Sequence, residues 1–336
     1  MKQATQAAVN TPTPIETLSS RLEEDMRAVN GIILKRMDSP VKLIPQLASY
    51  LIAAGGKRVR PLLTLASTAI FDGDMERSHK LAAAVEFIHT ATLLHDDVVD
   101  GSTERRGQEA ANLIFGNQAS VLVGDFLFSR AFQLMTEDGS LEVLGILSQA
   151  SAVIAQGEVL QLTTANNLGT TMDDYIEVIQ SKTAALFAAA CEVGPVIAGA
   201  NKDQQKAMAD FGMNMGIAFQ IADDTLDYMA EREKLGKATG DDFREGKMTA
   251  PVLLALKQAN EEELRFWQRT LGDKNQKEGD IEYACEIFAK HKIIEQCFTM
   301  AEEYRDLAIE SLHKAPESSL RLNLEELSTY VITRNH

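Results

Sequence analysis

The feature of this sequence that most limits its fold is a helical spacing of apolar residues, which continues along most of its 336 residues. Leu81, Val85 and Ile88, for example, recur at intervals of three and four residues and therefore share one face of a helix. Alternating strand patterns are scarce. The single Asn-Gly pair, Asn30-Gly31, has no such pattern beside it, so it indicates a helix boundary and not a hairpin turn.

Glycine-containing breaks divide the chain into helical segments, whose lengths predict an all-α fold of about ten or more helices. No Ser/Gly-rich or Pro-rich linker divides residues 21–336, so we predict one domain there, after a disordered polar tail over residues 1–20. A loop of charged residues is predicted from Glu231 to Lys247. The breaks lie at Gly55-Gly56, Phe71-Asp72-Gly73, Gly139, Gly169 and Gly199.

Composition excludes several classes of protein. A formal net charge of -16 argues against nucleic-acid binding, which needs a broad basic surface. The three cysteines form neither a CxxC pair nor an even set, so no disulfide framework or zinc site is indicated. Apolar runs such as Val252 to Leu256 are far shorter than the ~20 residues that cross a bilayer. We therefore predict a cytoplasmic protein without a transmembrane segment.

Two copies of an aspartate motif, DDxxD, carry the most specific chemical information. Positions i and i+4 of a helix lie on one side, so each motif presents paired carboxylates that repel each other and favour a bound cation. Oxygen ligands grouped without histidine or cysteine at ligand spacing favour Mg²⁺, which commonly joins carboxylates to substrate phosphates. The motifs comprise Asp96, Asp97 and Asp100, and then Asp223, Asp224 and Asp227.

Basic residues beside glycine or proline supply possible phosphate donors. They occur in GGKRVRP at 55–61 and in ERRG at 104–107, directly after the first aspartate motif. Glycine lets the backbone approach a ligand closely, and arginine offers a planar fork to phosphate oxygens. Lys57, Arg60 and Arg106 therefore suit one diphosphate, while Arg105 suits another.

On these motifs the chain resembles the polyprenyl synthetase family, the trans-isoprenyl diphosphate synthases, from about Gly31 to the C-terminus. The resemblance implies a helical bundle around a central cavity, and a homodimer. Residues 85–100, VEFIHTATLLHDDVVD, resemble the long-chain octaprenyl-type synthases that make quinone side chains. The other matching stretches are SKT at 181–183, AFQIADDTLD at 218–227, GK at 236–237 and GDDFREGKMTAP at 240–251.

The resemblance also implies roles for individual residues. The six aspartates are expected to bind Mg²⁺ and to hold an allylic diphosphate, with isopentenyl diphosphate bound beside it. The residues expected to grip the allylic diphosphate are Arg105, Lys182 and Lys237. Those expected to bind isopentenyl diphosphate are Lys57, Arg60, His89 and Arg106. The residues expected to act in catalysis are Lys182, Thr183 and Gln220, the last two with oxygens facing the developing carbocation.

Ala91 and Thr92 lie about one turn before Asp96 and are both small. Short-product members of the family tend to carry Phe or Tyr at the matching positions, so the resemblance implies a deeper tunnel and a product longer than fifteen carbons. Ala91→Phe is then expected to shorten the product. The chain is thus predicted to extend an allylic diphosphate with successive isopentenyl diphosphates, and its product can be handed to membrane enzymes.

Three alternatives remain open from the sequence. A shorter-chain synthase, making geranylgeranyl or farnesyl diphosphate, would share every motif. A terpene cyclase would not need the basic residues of GGKRVRP and ERRG. A non-catalytic synthase subunit would be expected to lack one aspartate motif, and this chain has both.

Overall fold

A computed structural model describes residues 12–53, 55–105, 107–229 and 240–333. These residues are almost entirely helical, which confirms the predicted all-α fold. Besides the connecting loops, the exceptions are an antiparallel pair of two-residue strands, β1 (Glu104–Arg105) with β2 (Gln108–Glu109), and two π-helical turns, Gln180–Ala184 and Gln268–Gly272. The α-helices are α1 (Pro14–Arg21), α2 (Glu23–Met37), α3 (Leu43–Ala53), α4 (Val59–Ile70), α5 (Met75–Val99), α6 (Ala111–Phe115), α7 (Asn117–Asp138), α8 (Leu141–Thr164), α9 (Met172–Ile179), α10 (Ala185–Ile197), α11 (Lys202–Leu226), α12 (Asp241–Glu245), α13 (Ala250–Gln258), α14 (Glu261–Trp267), α15 (Asp280–His291), α16 (Ile293–Leu312) and α17 (Ser319–Thr333).

Helix α10 is the central element of the core. It is buried from Ala185 to Cys191, and such all-round burial explains why its sequence is apolar on every face. It packs against α4, α5, α8 and α11, while α5 also packs on α7 and α11 on α16. The hydrophobic core that results extends from Ile15 in α1 to Ile332 in α17.

The predicted disordered tail is wrong from Thr13 onward, because α1 occupies residues 14–21. Thr13 and Glu16 form a capping box, and Pro14 stands at the first helical position, where its missing N–H costs nothing. Ile15 and Leu18 are buried and α1 packs on α17. Capping and tertiary burial therefore order a segment whose composition alone indicated a tail. Residues 1–11 lie outside the described residues.

The Asn30-Gly31 boundary is also wrong, since both residues lie inside α2. Glycine costs about 1 kcal/mol relative to alanine within a helix. Burial of Met26, Val29 and Ile33 on the same helix outweighs that cost. The five glycine breaks named above do fall between helices, and Gly139 ends α7 in the left-handed conformation.

Both aspartate motifs lie at the carboxyl ends of long helices. Helix α5 ends at Val99 and α11 ends at Leu226, each after 25 residues and each without a basic residue in its last turn. The carboxyl end of a helix carries partial negative charge, so acidic side chains there are disfavoured unless cations offset them. The fold thus places two clusters of negative charge where each requires a positive partner.

Helix α8 is apolar along much of its length but only partly covered. Of the described helices it is the one long and apolar enough to cross a membrane by length and composition, and 28% of its apolar window is buried. A single helix of this kind is weak evidence for a membrane span, so α8 does not overturn the prediction of no transmembrane segment. A helix of this kind can also belong to a soluble protein's core or interface, and α8 packs on α7 and α10 along one face.

Candidate active site

Within each aspartate motif, the three side chains differ in their exposure to solvent. In each motif the middle aspartate is buried: Asp97 is 1% exposed and Asp224 is 6% exposed. Asp96, Asp100 and Asp227 are half-buried, and Asp223 is exposed. The carboxylates open to a ligand are therefore the first and last of each motif.

Both middle aspartates have protein partners. Asp97 accepts hydrogen bonds from Nε and Nη2 of Arg105, at 2.7 and 2.6 Å. Asp224 accepts from the Tyr175 hydroxyl at 2.6 Å and from the Gln220 amide at 2.7 Å. Burial raises the pKa of Asp224 well above its usual value. These contacts orient the arginine, tyrosine and glutamine side chains.

Lys247 connects the two motifs. Its Nζ lies 3.6 Å from a carboxylate oxygen of Asp100 and 3.5 Å from one of Asp242. The backbone N–H of Asp242 in turn donates to the carboxylate of Asp227 at 3.1 Å. Burial alone would lower the pKa of Lys247. The negative charges of Asp242 and Asp100 outweigh the effect of burial, so the pKa is raised. One half-buried ammonium group thus links the first motif, through Asp242, to Asp227 of the second.

Lys182 places a positive charge beside Asp96, the first aspartate of the first motif. Its Nζ donates to Glu158 at 2.7 Å and lies 3.7 Å from Asp96. Burial raises the pKa of Glu158 to about 7, and repulsion from Asp96 adds to the effect. Burial also raises the pKa of Asp96, and the charge of Lys182 opposes this rise.

Lys182 and Thr183 lie on the π-helical turn Gln180–Ala184, an irregularity that often marks functional sites. Gly157 of α8 packs directly against this turn: a Cβ atom at Gly157 would lie 2.7 Å from Ser181 and 2.8 Å from the Lys182 nitrogen. The absence of a side chain lets α8 approach closely enough for Glu158 to reach Lys182.

Thr183 and Gln220 contact each other at the wall of a cavity. The Thr183 hydroxyl donates to the Gln220 carbonyl oxygen at 2.8 Å, while the Gln220 amide is held by Asp224. Both side chains line the cavity together with Lys182 and Lys247. Their oxygens are thereby fixed at the wall of a cavity that Asp224 of the second motif also lines.

The residues predicted for isopentenyl diphosphate form a second group. The Arg60 guanidinium lies 3.1 Å from Nε2 of His89 and stacks on Phe187, 4.5 Å from the ring centre. Lys57 is exposed, with its Nζ 5.7 Å from the ring centre of Tyr330. Arg60 and His89 are therefore neighbours, as the sequence predicted. Arg106 and Lys237 lie outside the described residues.

The two residues predicted to control product length differ in their surroundings. Ala91 is completely buried in the core. Thr92 is half-buried, and its hydroxyl donates to the His89 carbonyl at 2.7 Å. The Ala91→Phe expectation stays a prediction, but a ring added at this buried position would also overpack the core. Thr92 is the better position for that change.

Comparison with known proteins decides the family. The sequence matches the polyprenyl synthetase family over residues 41–288, most of the chain. The chain belongs to the polyprenyl synthetase family. This confirms the predicted family and the predicted class of enzyme, a prenyltransferase.

Individual relatives are similar along nearly the whole chain. The octaprenyl diphosphate synthase of Escherichia coli (strain K12) is 43% identical over 323 residues, which cover 96% of this chain and 99% of that protein. The crystal structure of a decaprenyl diphosphate synthase from Rhodobacter capsulatus has a TM-score of 0.91 and 51% identity, covering 95% of this chain and 99% of that one. A polyprenyl synthase from Caulobacter crescentus CB15, complexed with calcium and isoprenyl diphosphate, has a TM-score of 0.92 and 50% identity, with 95% and 98% covered.

Sequence reasoning missed four residues of this polyprenyl synthetase site. Asp242 and Lys247 lie in the matched stretch GDDFREGKMTAP, where their charges were visible but their contacts were not. Glu158 follows Gly157 within an apolar helix, and this isolated carboxylate was the available clue. Tyr175 gave no clue, because its role depends on a contact with Asp224 in a distant helix.

The donor set fits a divalent cation. Its exposed members are carboxylate oxygens, and burial raises the pKa of Asp96 and brings the pKa of Asp227 to about 7, where Asp242 adds repulsion. A cation would relieve that cost by offsetting the negative charge of these carboxylates. Among the described residues no three acidic, histidine or cysteine side chains already stand close enough to hold a metal. Water and substrate phosphate must therefore complete the coordination, as is usual for Mg²⁺.

The raised pKa values predict how Mg²⁺ stabilisation depends on pH. The pKa of Asp227 and that of Glu158 are each about 7 in the folded protein. In the unfolded chain both pKa values are about 4. As the pH rises between about 4 and 7, the unfolded chain loses these protons first, so both groups reduce the free energy of unfolding. Mg²⁺ should offset this loss by favouring the charged forms. We expect Mg²⁺ to raise the melting temperature more at about pH 8 than at about pH 6.

Differential scanning calorimetry at the two pH values measures this difference. Asp227→Asn removes one of the two titrating groups and should reduce the difference between the Mg²⁺-induced shifts in melting temperature at the two pH values. The control Asp210→Asn changes an exposed carboxylate paired with Lys206 on the surface and should leave that difference unchanged. Equal Mg²⁺ shifts at both pH values in the unmodified protein would contradict the expectation.

Proposed function

We propose that this chain is a Mg²⁺-dependent trans-polyprenyl diphosphate synthase that condenses an allylic diphosphate with successive molecules of isopentenyl diphosphate. The observation that carries the proposal is the bridge from Asp100 through Lys247 and Asp242 to Asp227. It supports a site in which both acidic motifs act on one leaving group. The calcium and isoprenyl diphosphate bound by the Caulobacter relative support the same ligand chemistry.

The outer aspartates of both motifs would hold Mg²⁺. When bound, Mg²⁺ supplies positive charge to the diphosphate as the allylic C1–O bond breaks. Lys182 and Lys247 already stand at this site with their positive charge maintained by acidic neighbours, because the pKa of each is raised. They can therefore pair with the departing diphosphate without gaining a proton. Preorganised charges in a cavity with little water stabilise such a transition state strongly.

Thr183 and Gln220 serve the other product of ionisation, the allylic carbocation. Their oxygens are held at the cavity wall, and the Asp224 contact keeps the Gln220 amide nitrogen turned away from them. The double bond of isopentenyl diphosphate then attacks C1, forming a new carbon–carbon bond. Loss of one proton, which we assign to the released diphosphate, restores an allylic diphosphate five carbons longer.

A long, octaprenyl-type product is proposed, for use in quinone side chains. The E. coli relative is named for an octaprenyl product and the Rhodobacter relative for a decaprenyl product. The small residue Thr92 supports the same assignment, since it leaves room beside the half-buried face of α5 before Asp96. Short-chain products remain the main alternative.

We further propose that the enzyme works in the cytoplasm as a homodimer and passes its product to membrane enzymes. Support comes from an apolar surface on α6, α7 and α8, which holds half of the strongly exposed large apolar side chains among the described residues. A second copy would cover this surface and account for the low burial of α8. The surface comprises Leu113, Ile114, Val121, Leu122, Phe132, Leu141, Val159 and Leu162.

Product sizing tests the reaction. Purified protein is incubated with farnesyl diphosphate, labelled isopentenyl diphosphate and Mg²⁺, and the dephosphorylated products are separated by thin-layer chromatography. We expect a product of about octaprenyl length, and shorter products from Thr92→Phe, whose ring would narrow the path. Thr92→Ser is the matched control and should keep the original length. Products that stop at fifteen or twenty carbons would overturn the long-chain assignment, and no use of isopentenyl diphosphate would overturn the synthase itself.

Solution mass tests the dimer. Light scattering on the detergent-free protein should give about twice the chain mass of 36.9 kDa. Replacing Leu122 with Glu would place a charge on the apolar surface and should shift the mass toward one chain. A single-chain mass for the unmodified protein, or a need for detergent, would contradict the proposed assembly.

A further inference from the structure

The segment that leads into α4 has an unusual backbone. Gly55 and Gly56 have φ angles of +72° and +151°, which glycine adopts without a steric cost. Arg58 follows in the left-handed conformation, with φ +49° and ψ +37°. Side chains other than glycine disfavour this region, so a specific contact must hold Arg58 there.

That contact is an ion pair with Glu86. Nη1 of Arg58 donates to the Glu86 carboxylate at 2.6 Å, and the two side chains are 20% and 11% exposed. Burial makes the pair stronger than one on an open surface, and it makes loss of either partner more costly. Glu86 belongs to α5, so the pair fastens the start of α4 to the helix that ends in the first aspartate motif.

Helix α5 makes a second contact with the same segment one turn further along. His89, three residues after Glu86, lies 3.1 Å from Arg60. Arg58 and Arg60 are therefore both held from α5, on either side of Val59. Asp96 follows Glu86 by ten residues, or about 15 Å along the helix axis. One rigid helix thus sets the position of this segment relative to the aspartates.

We propose that Glu86 is a positioning residue for the isopentenyl diphosphate subsite. Through Arg58 it fixes the backbone of residues 55–60, so that the ammonium of Lys57 and the guanidinium of Arg60 meet the same diphosphate. Glu86 itself does not touch the substrate. This inference rests on the proposed function, because it assigns isopentenyl diphosphate to Lys57 and Arg60.

Steady-state kinetics on two single variants and their combination test the inference. Glu86→Gln keeps the shape of the side chain but removes its charge. Arg58→Gly removes the ion pair while fitting the left-handed backbone better than arginine does. We expect each to raise the KM for isopentenyl diphosphate by about tenfold, as for loss of one charge-assisted hydrogen bond. The KM for the allylic diphosphate should change less than about twofold.

The double variant distinguishes a positioning role of the Glu86–Arg58 ion pair from an unrelated loss of stability or activity. If the pair acts as a unit, Glu86→Gln combined with Arg58→Gly should raise the isopentenyl KM no more than either change alone. The control is Asp138→Asn, which breaks a pair of similar geometry between Arg77 of α5 and α7, at 2.8 and 2.9 Å. It should lower thermal stability without favouring one KM over the other.

Two results would overturn the inference. One is an unchanged isopentenyl KM in both single variants, and the other is an equal rise in both KM values. If Glu86→Gln does not fold, Arg58→Gly decides the question alone. Failure of the proposed function would look different, because the unmodified protein would then consume no isopentenyl diphosphate at all.

Discussion

The ion pairs of Lys247 are the interaction on which the rest of the site depends. Two 25-residue helices bring acidic motifs, and the negative ends of their dipoles, toward one space. Such an arrangement is unfavourable without positive charge between them. Lys247 supplies part of that charge from the segment after α12, and Lys182 supplies more from the π-helical turn. Divalent cations and a diphosphate would complete the balance, so the charges that are costly in the protein alone are those proposed to bind its ligands.

Within each motif, the position of an aspartate on its helix determines what its carboxylate contacts. A helix that presents its first and last aspartates to a cavity turns the middle one toward its neighbours. There Asp97 orients Arg105, and Asp224 orients Gln220 and Tyr175. The middle carboxylates therefore hold neighbouring polar side chains in place, and the expectation that all six aspartates bind metal stays a prediction.

Local sequence information predicted the helices, the breaks between them and the chemistry of the two motifs, because apolar spacing and clustered carboxylates are visible within a few residues. It failed where distant contacts decide. Burial against α17 orders α1, and burial on α2 outweighs the cost of Gly31. Glu158 gains its role from Lys182 on another helix, and Ala91 is completely enclosed by its neighbours. No spacing rule within the sequence reports such contacts.

Binding of Mn²⁺ in the presence of inorganic diphosphate tests most directly whether the two motifs share one ligand. Electron paramagnetic resonance measures free Mn²⁺ and so gives the affinity with and without diphosphate. We expect diphosphate to tighten Mn²⁺ binding in the unmodified protein, and Asp100→Asn or Asp227→Asn alone to abolish most of that tightening. If either variant retained the full effect of diphosphate, the motifs would act separately and the account would be wrong.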